Sequence, residues 1–137
     1  MTALSPIQVI ERMYGAFDDP AAMMALWHPE VSYFGMDHRG DDRLFDGLEA
    51  FGALYAATAA VMDLMSDELA QAYPAGEDLV IGHVRATRRG AVTAESITSS
   101  YVIVLHVLEG TIVRGVDKVA EDYRAFFRRQ AAATEGK

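Results

Sequence analysis

The sequence predicts an α+β fold in which helices cover one face of a curved, mostly antiparallel sheet. Three observations predict it: the first half of the chain carries capped helical segments around one β-rich stretch, the second half carries four β-rich segments joined by turn residues, and a short amphipathic segment follows them.

Ser5-Pro6-Ile7-Gln8 sets a hydroxyl at a helix N-cap, proline at the first helical position and glutamine at the third, which satisfies the orphan amides of the first turn. Ile7, Ile10, Met13, Tyr14 and Phe17 then recur at three- and four-residue steps and give one apolar stripe ending near Asp18. Asp19-Pro20 repeats the start signal for a short helix carrying Met23, Met24, Leu26 and Trp27, which stops before Pro29. Val31 to Met36 is β-branched and aromatic and reads as a strand, with a polar loop from Asp37 to Arg43 after it. Asp46-Gly47-Leu48-Glu49 reads as a second capping box, opening a helix whose Leu48, Phe51, Leu54 and Tyr55 face inward, with Val61 and Met62 as further candidates for the same face. Glu68 to Tyr73, Leu79 to Arg88, Ala91 to Leu108 and Thr111 to Lys118 read as four antiparallel strands, because Pro74-Ala75-Gly76, Arg89-Gly90 and Glu109-Gly110 are tight-turn chemistry. Glu121 to Arg129 is predicted helical and Ala131 to Lys137 a frayed tail.

The 137 residues, 51% apolar and 23% charged, match one self-sufficient globular domain spanning residues 1–137. No cysteine is present, which excludes disulfides, thiolate metal sites and a thiol nucleophile. A net charge of −8, with the arginines scattered and no aromatic residues between them, argues against nucleic acid as a partner. The longest apolar runs, Ala21 to Trp27 and Tyr101 to Leu105, fall far short of the ~20 residues of a membrane span. Met1-Thr2-Ala3-Leu4 lacks the basic and apolar stretches of a secretory leader, so the expected location is cytoplasmic. The nearly continuous apolar run from Ile97 to Leu108 is expected at the centre of the sheet, covered by helices on one side and by a second copy of the chain on the other.

Several of these segments, in this order, carry a resemblance: the opening helix Val9 to Phe17 running into Asp18-Asp19, Leu26-Trp27-His28-Pro29-Glu30-Val31, Phe45-Asp46-Gly47-Leu48-Glu49-Ala50-Phe51, and Tyr101 to Leu105 followed by Glu109-Gly110-Thr111-Ile112-Val113. Over about residues 5 to 128 the chain resembles the SnoaL-like branch of the NTF2-like superfamily, the cystatin-like cone fold shared by ketosteroid isomerase, scytalone dehydratase, limonene epoxide hydrolase and polyketide cyclases. The resemblance implies a cone-shaped pocket between sheet and helices for a small hydrophobic, polyketide- or steroid-like molecule, and, where there is catalysis, cofactor-free isomerase, cyclase or dehydratase chemistry. The superfamily also holds non-catalytic members, so a ligand-binding or dimerisation module is the alternative.

Strand parity sets Val113, Gly115 and Asp117 on one face, and Ile112, Arg114, Val116 and Lys118 on the other. Two cations favour solvent, which turns Asp117 toward the pocket, where desolvation would raise its pKa and suit it to acid–base work. Its distance from Gly110 resembles that of the catalytic aspartate in the last strand of the epoxide hydrolase and the cyclases; a structural carboxylate at a strand end is the other reading. His38, His83 and Tyr14 are the candidate proton partners. His38 is placed on the face of Phe34 and Met36, opposite Asp37, whereas His83 can face either way. By the ketosteroid isomerase pattern the general base would fall near Gly35 and Met36, so classical steroid isomerisation is not expected. The Arg-x-Asp of the epoxide hydrolase has its nearest counterpart in His83-Val84-Arg85. Phe17, Trp27, Phe34, Met36, Phe51, Tyr55 and Tyr101 are the expected apolar lining. His28 reads as a helix-end cap and His106 as a core or interface histidine; none of the four histidines has metal-ligand spacing, and no metal is expected.

Overall fold

The computed structural model describes residues 3–136; Met1 and Thr2 of the N-terminal segment and Lys137, the last residue of the predicted tail, lie outside the described residues. Among the described residues four helices, α1 (Pro6–Gly15), α2 (Pro20–Met24), α3 (Leu48–Ala60) and α4 (Glu121–Glu135), pack on six strands, β1 (Trp27–Met36), β2 (Asp42–Asp46), β3 (Met62–Pro74), β4 (Leu79–Gly90), β5 (Ser96–Leu108) and β6 (Thr111–Val119). The strands form one sheet in the order β2-β1-β6-β5-β4-β3, with β1 and β6 parallel and every other neighbouring pair antiparallel. This is the α+β cone with a curved sheet that the sequence predicts.

The first helix begins as its residues dictate. Ser5 Oγ accepts from the Gln8 amide at 3.3 Å while Gln8 Oε1 accepts from the Ser5 amide at 2.9 Å, and Asp19 Oδ1 caps α2 by accepting from the Ala22 amide at 3.2 Å. At α3 the expected capping box does not form. Asp46 instead ends β2, paired with Ser32, and Gly47 is the N-cap at φ 91°, a backbone conformation that favours glycine, with no side-chain cap.

Other boundaries differ from expectation. α3 ends at Ala60, so Met62 opens β3 well ahead of the expected start at Glu68, and β5 begins at Ser96, not Ala91, because residues 91–95 form the turn from β4. β1 starts at Trp27, before Pro29, because its pairing with β6 is interrupted between Trp27 and Ser32 and needs no amide donor from the proline. Residues 42–46, read as part of a loop and a cap, add the edge strand β2. The predicted frayed tail is helical to Glu135, because Gln130 and Ala131 are buried and Gln130 bonds Thr93 Oγ1 at 2.6 Å and Glu95 Oε1 at 3.0 Å.

Two core clusters form. One joins α1, α2 and α3 to the sheet through residues such as Ile10, Trp27, Phe51, Val84 and Leu105; the other seats Phe126 and Phe127 of α4 against Met62, Ala86 and Val119. Arg124 of α4 ties the β1–β2 loop down, donating to Gly40 O at 2.7 Å and meeting Asp42 at 3.1 Å. No helix of the described residues is long and apolar enough to cross a membrane.

Candidate functional site

Between the two clusters lies a cavity of about 120 Å³ whose walls come from both. Its polar side chains fall into two groups, one around Asp117 and one around Asp67.

Asp117 reaches the cavity from the regular part of β6, beyond a bulge. His106 pairs with Arg114 and Val107 with Ile112, so Val113 is left without a partner and the parity switches there. Ile112 is thereby buried in the core although Val116, two residues beyond Arg114 and on its face, is 48% exposed on the outer side; the expected grouping of Ile112 with Val116 does not hold. Gly115, Asp117 and Val119 point inward beyond the bulge. Asp117 Oδ2 accepts the hydroxyl hydrogen of Tyr33, and Oδ1 accepts from the Met36 amide at 3.4 Å. Burial pushes the Asp117 carboxyl up to about 6, against the opposing pull of the Tyr33 hydroxyl and the Met36 amide. Two glycines make room for this pair. A Cβ on Gly35 would lie 2.6 Å from Asp117 Oδ1 and 2.7 Å from Tyr33 Oη, and one on Gly115 would meet the Tyr33 ring at 3.0 Å. Tyr33 is in turn fixed edge-on against Phe51 and Trp27, at centroid distances of 5.0 and 5.9 Å.

The second group is a chain of four residues. Arg88 Nη1 donates to Asp67 Oδ1 at 2.5 Å with both side chains buried, Tyr101 Oη donates to Asp67 Oδ2 at 2.5 Å, and Tyr14 Oη lies 2.8 Å from Tyr101 Oη. The Arg88 guanidinium also stands over the Tyr123 ring at 5.6 Å. Burial raises the pKa of the Tyr14, Tyr33 and Tyr101 phenols, and that of Tyr123 to about 12, so all four stay protonated at neutral pH. Burial opposes the charge of Arg88, yet Tyr123 and Asp67 together hold its pKa above the ordinary value.

Tyr14, Phe17, Trp27, Met36, Phe51, Tyr55, Tyr101 and Asp117 all line the cavity. Three expected residues do not. Phe34 is 43% exposed on the outer face, because the inward positions of β1 belong to Tyr33 and Gly35. His38 sits in the turn after β1, where Asp37 Oδ1 accepts from the Arg39 amide at 2.9 Å and the Asp41 amide at 3.0 Å; strand parity ends there, and Asp37 rather than His38 borders the cavity. His83 faces outward on β4, hydrogen-bonded to Tyr73 Oη at 2.5 Å, since the small and apolar Val80, Gly82, Val84 and Ala86 take the inner face. His28 caps no helix: it lies in β1, its Nδ1 accepting from the Glu30 amide at 3.0 Å. Among the described residues no three histidine, aspartate or glutamate side chains converge on a metal-sized site.

The sequence reading missed Tyr33, Asp67 and Arg88. The alternation in Met65-Ser66-Asp67 against Ala86-Thr87-Arg88, opposite charges at inward positions of adjacent strands, is the signal that could have found the buried pair.

In fold the chain is similar to several solved structures. An NTF2-like protein of Burkholderia thailandensis superposes with a TM-score of 0.79 at 24% identity, covering 90% of this chain and 97% of that one. TerC, co-crystallised with polyporic acid, superposes with a TM-score of 0.77 at 16% identity over 90% and 98% of the two chains. IdmH of Streptomyces antibioticus, a proposed polyketide cyclase, gives a TM-score of 0.72 at 18% identity over 93% and 98%. No curated protein matches in sequence. The family model described as the SnoaL-like domain matches residues 10–115, well over half of the sequence, and the chain therefore belongs to the SnoaL-like domain family.

Proposed function

We propose that the cavity binds a small hydrophobic ring compound and that Asp117 moves a proton to or from it without a cofactor. The observation that carries this reading is the carboxyl of Asp117 at the cavity wall, buried, held by a phenol and an amide and bonded to no guanidinium among the described residues, with its pKa pushed up to about 6 although the Arg124 charge pulls it down. A carboxyl so tuned is a stronger base than an exposed aspartate and keeps a usable acid fraction near neutrality. The volume of about 120 Å³ suits one ring, since an apolar cavity of about 150 Å³ accommodates benzene. A polyketide- or steroid-sized ligand would extend from that ring, with the unbranched side chains of Met13, Met23, Met36 and Met65 shifting to admit it. The co-crystallisation of TerC with polyporic acid and the proposed cyclase activity of IdmH are consistent with ring-shaped ligands in this fold.

The test is solvent-deuterium exchange at the α-carbon of small ring ketones, followed by NMR, with wild type and Asp117→Asn compared. Exchange that saturates with wild type and is lost in the variant, while ketone binding survives, supports the reading. Binding without exchange in either form identifies a non-catalytic ligand-binding module instead.

We also propose a homodimer formed through the outer face of the sheet. Phe34, Val116, Val104, Ile81 and Tyr73 are successive register partners across β1, β6, β5, β4 and β3, and they form an apolar stripe on that face with Phe34, Val116 and Tyr73 all more than 40% exposed. Sedimentation of wild type and Val116→Glu tests it: a dimer converted to a monomer is expected, and a monomeric wild type refutes it.

A further inference from the structure

The proton-transfer reading leaves the second polar group of the cavity unused. Asp67 is held by Arg88 on Oδ1 and accepts from Tyr101 on Oδ2, and Tyr101 Oη in turn lies 2.8 Å from Tyr14 Oη.

A phenol has one hydrogen to give. The carboxylate of an ion pair is the strongest acceptor in reach of Tyr101, so that hydrogen is committed to Asp67. The contact between the phenols is then a hydrogen bond only if Tyr14 is the donor. Were Tyr14 to turn its hydrogen elsewhere, two oxygens would face each other at 2.8 Å through lone pairs alone. The direction of the chain is thus set from its Arg88 end: Tyr14 gives to Tyr101, and Tyr101 gives to Asp67. What Tyr14 Oη has left is acceptor capacity, and no further protein group among the described residues bonds to it.

We infer that Tyr14 is a specificity-determining residue that accepts but does not donate, so that the ligand group beside it is a hydroxyl, as in an alcohol, enol or phenol, and not a carbonyl. This rests on the reading that the cavity holds a ring compound. A hydroxyl ligand extends the chain by one member, each bond polarising the next. A carbonyl ligand can bond Tyr14 only by breaking the Tyr14–Tyr101 bond.

Cyclohexanol and cyclohexanone, one-ring probes that differ only in this group, test the inference when titrated against wild type, Tyr14→Phe and Tyr101→Phe and followed by NMR at the Ile103 methyls in the cavity wall. The alcohol-over-ketone preference is expected to be about tenfold larger in wild type than in Tyr14→Phe, the size of one good hydrogen bond. Tyr101→Phe removes the acceptor of the Tyr14 hydrogen and frees it for a carbonyl, so its preference is expected to move toward the ketone, past that of Tyr14→Phe. Equal preferences in wild type and Tyr14→Phe, or an unmoved preference in Tyr101→Phe, overturn the inference while leaving the cavity reading intact. Failure of both probes to bind saturably overturns the cavity reading and this inference with it. If Tyr101→Phe does not fold, wild type against Tyr14→Phe decides alone.

Discussion

The hydroxyl of Tyr33 on β1 is donated to the carboxylate of Asp117 on β6, across two parallel strands and over the bare backbone of Gly35. The bond favours the ionised carboxylate while burial disfavours it, and burial prevails.

That balance makes stability depend on pH. The Asp117 pKa is raised from its ordinary 3.8 to about 6 in the folded chain, so the unfolded chain releases this proton at lower pH than the folded one. The contribution of the protonated group is fully present below about pH 4 and is lost as pH rises through about 6. The loss amounts to about 3 kcal/mol, from roughly two pKa units at about 1.4 kcal/mol each. Asp117→Asn stays neutral and escapes it. Denaturant unfolding is expected to show the variant more stable than wild type at pH 8 by up to that amount, with the advantage shrinking between pH 6 and pH 4; a constant difference across this range would refute the buried, uncompensated carboxylate.

Gly35→Ala addresses the same pair from below. The new Cβ would sit at 2.6 Å from Asp117 Oδ1 and 2.7 Å from Tyr33 Oη, distances that no real methyl tolerates. The side chains can yield only by parting, because the strand backbone is held in place, Gly35 itself paired with Arg43 of β2 and its neighbour Phe34 with Val116 of β6. Calorimetry is expected to show a loss of about 1–3 kcal/mol, the usual size of an overpacking penalty. Isotope exchange at a bound ketone should fall together with it, as it would in Asp117→Asn.

Why some of this was legible beforehand and some was not follows from the same geometry. Asp117, Tyr14, Phe51 and Tyr101 were readable because helix and strand periodicity assign faces wherever the element is regular. Phe34 and His38 were misplaced because one residue decides the face of a strand, and because Asp37 captures the backbone amides of Arg39 and Asp41 and ends the alternation. Val113 is another such interruption, invisible in composition and decisive for where Ile112 goes. The Arg88–Asp67 pair was hidden for a different reason: a charged residue in a strand reads as solvent-facing, and only the register between β3 and β4 shows that the two meet inside.

Removing Arg88 strands the carboxylate of Asp67. Its side chain is 1% exposed and would retain only Tyr101 as a partner. Arg88→Met is expected to cost about 3–5 kcal/mol in urea unfolding, the range for breaking one half of a buried pair. The double variant Arg88→Met, Asp67→Leu removes both charges and should recover most of that loss. A double variant no more stable than the single would show that the pair holds the sheet by packing and not by charge compensation.

Tyr33→Phe separates the two forces on Asp117. The ring remains to pack on Trp27 and Phe51, so the cavity keeps its wall, while the hydroxyl that favours the ionised carboxylate is gone. Burial then acts against the Met36 amide and the Arg124 charge without the phenol, and the Asp117 pKa is expected to rise above its value of about 6. Carbon-detected NMR of the side-chain carboxyl, followed over pH, reads this directly. In a deuterium-exchange assay the ascending, acidic limb of the profile should move to higher pH by the same interval, because the free base is the form that removes the proton. An unchanged or lowered pKa would mean that the phenol does not donate to Asp117 in solution, and the proposed tuning of this carboxyl would fall.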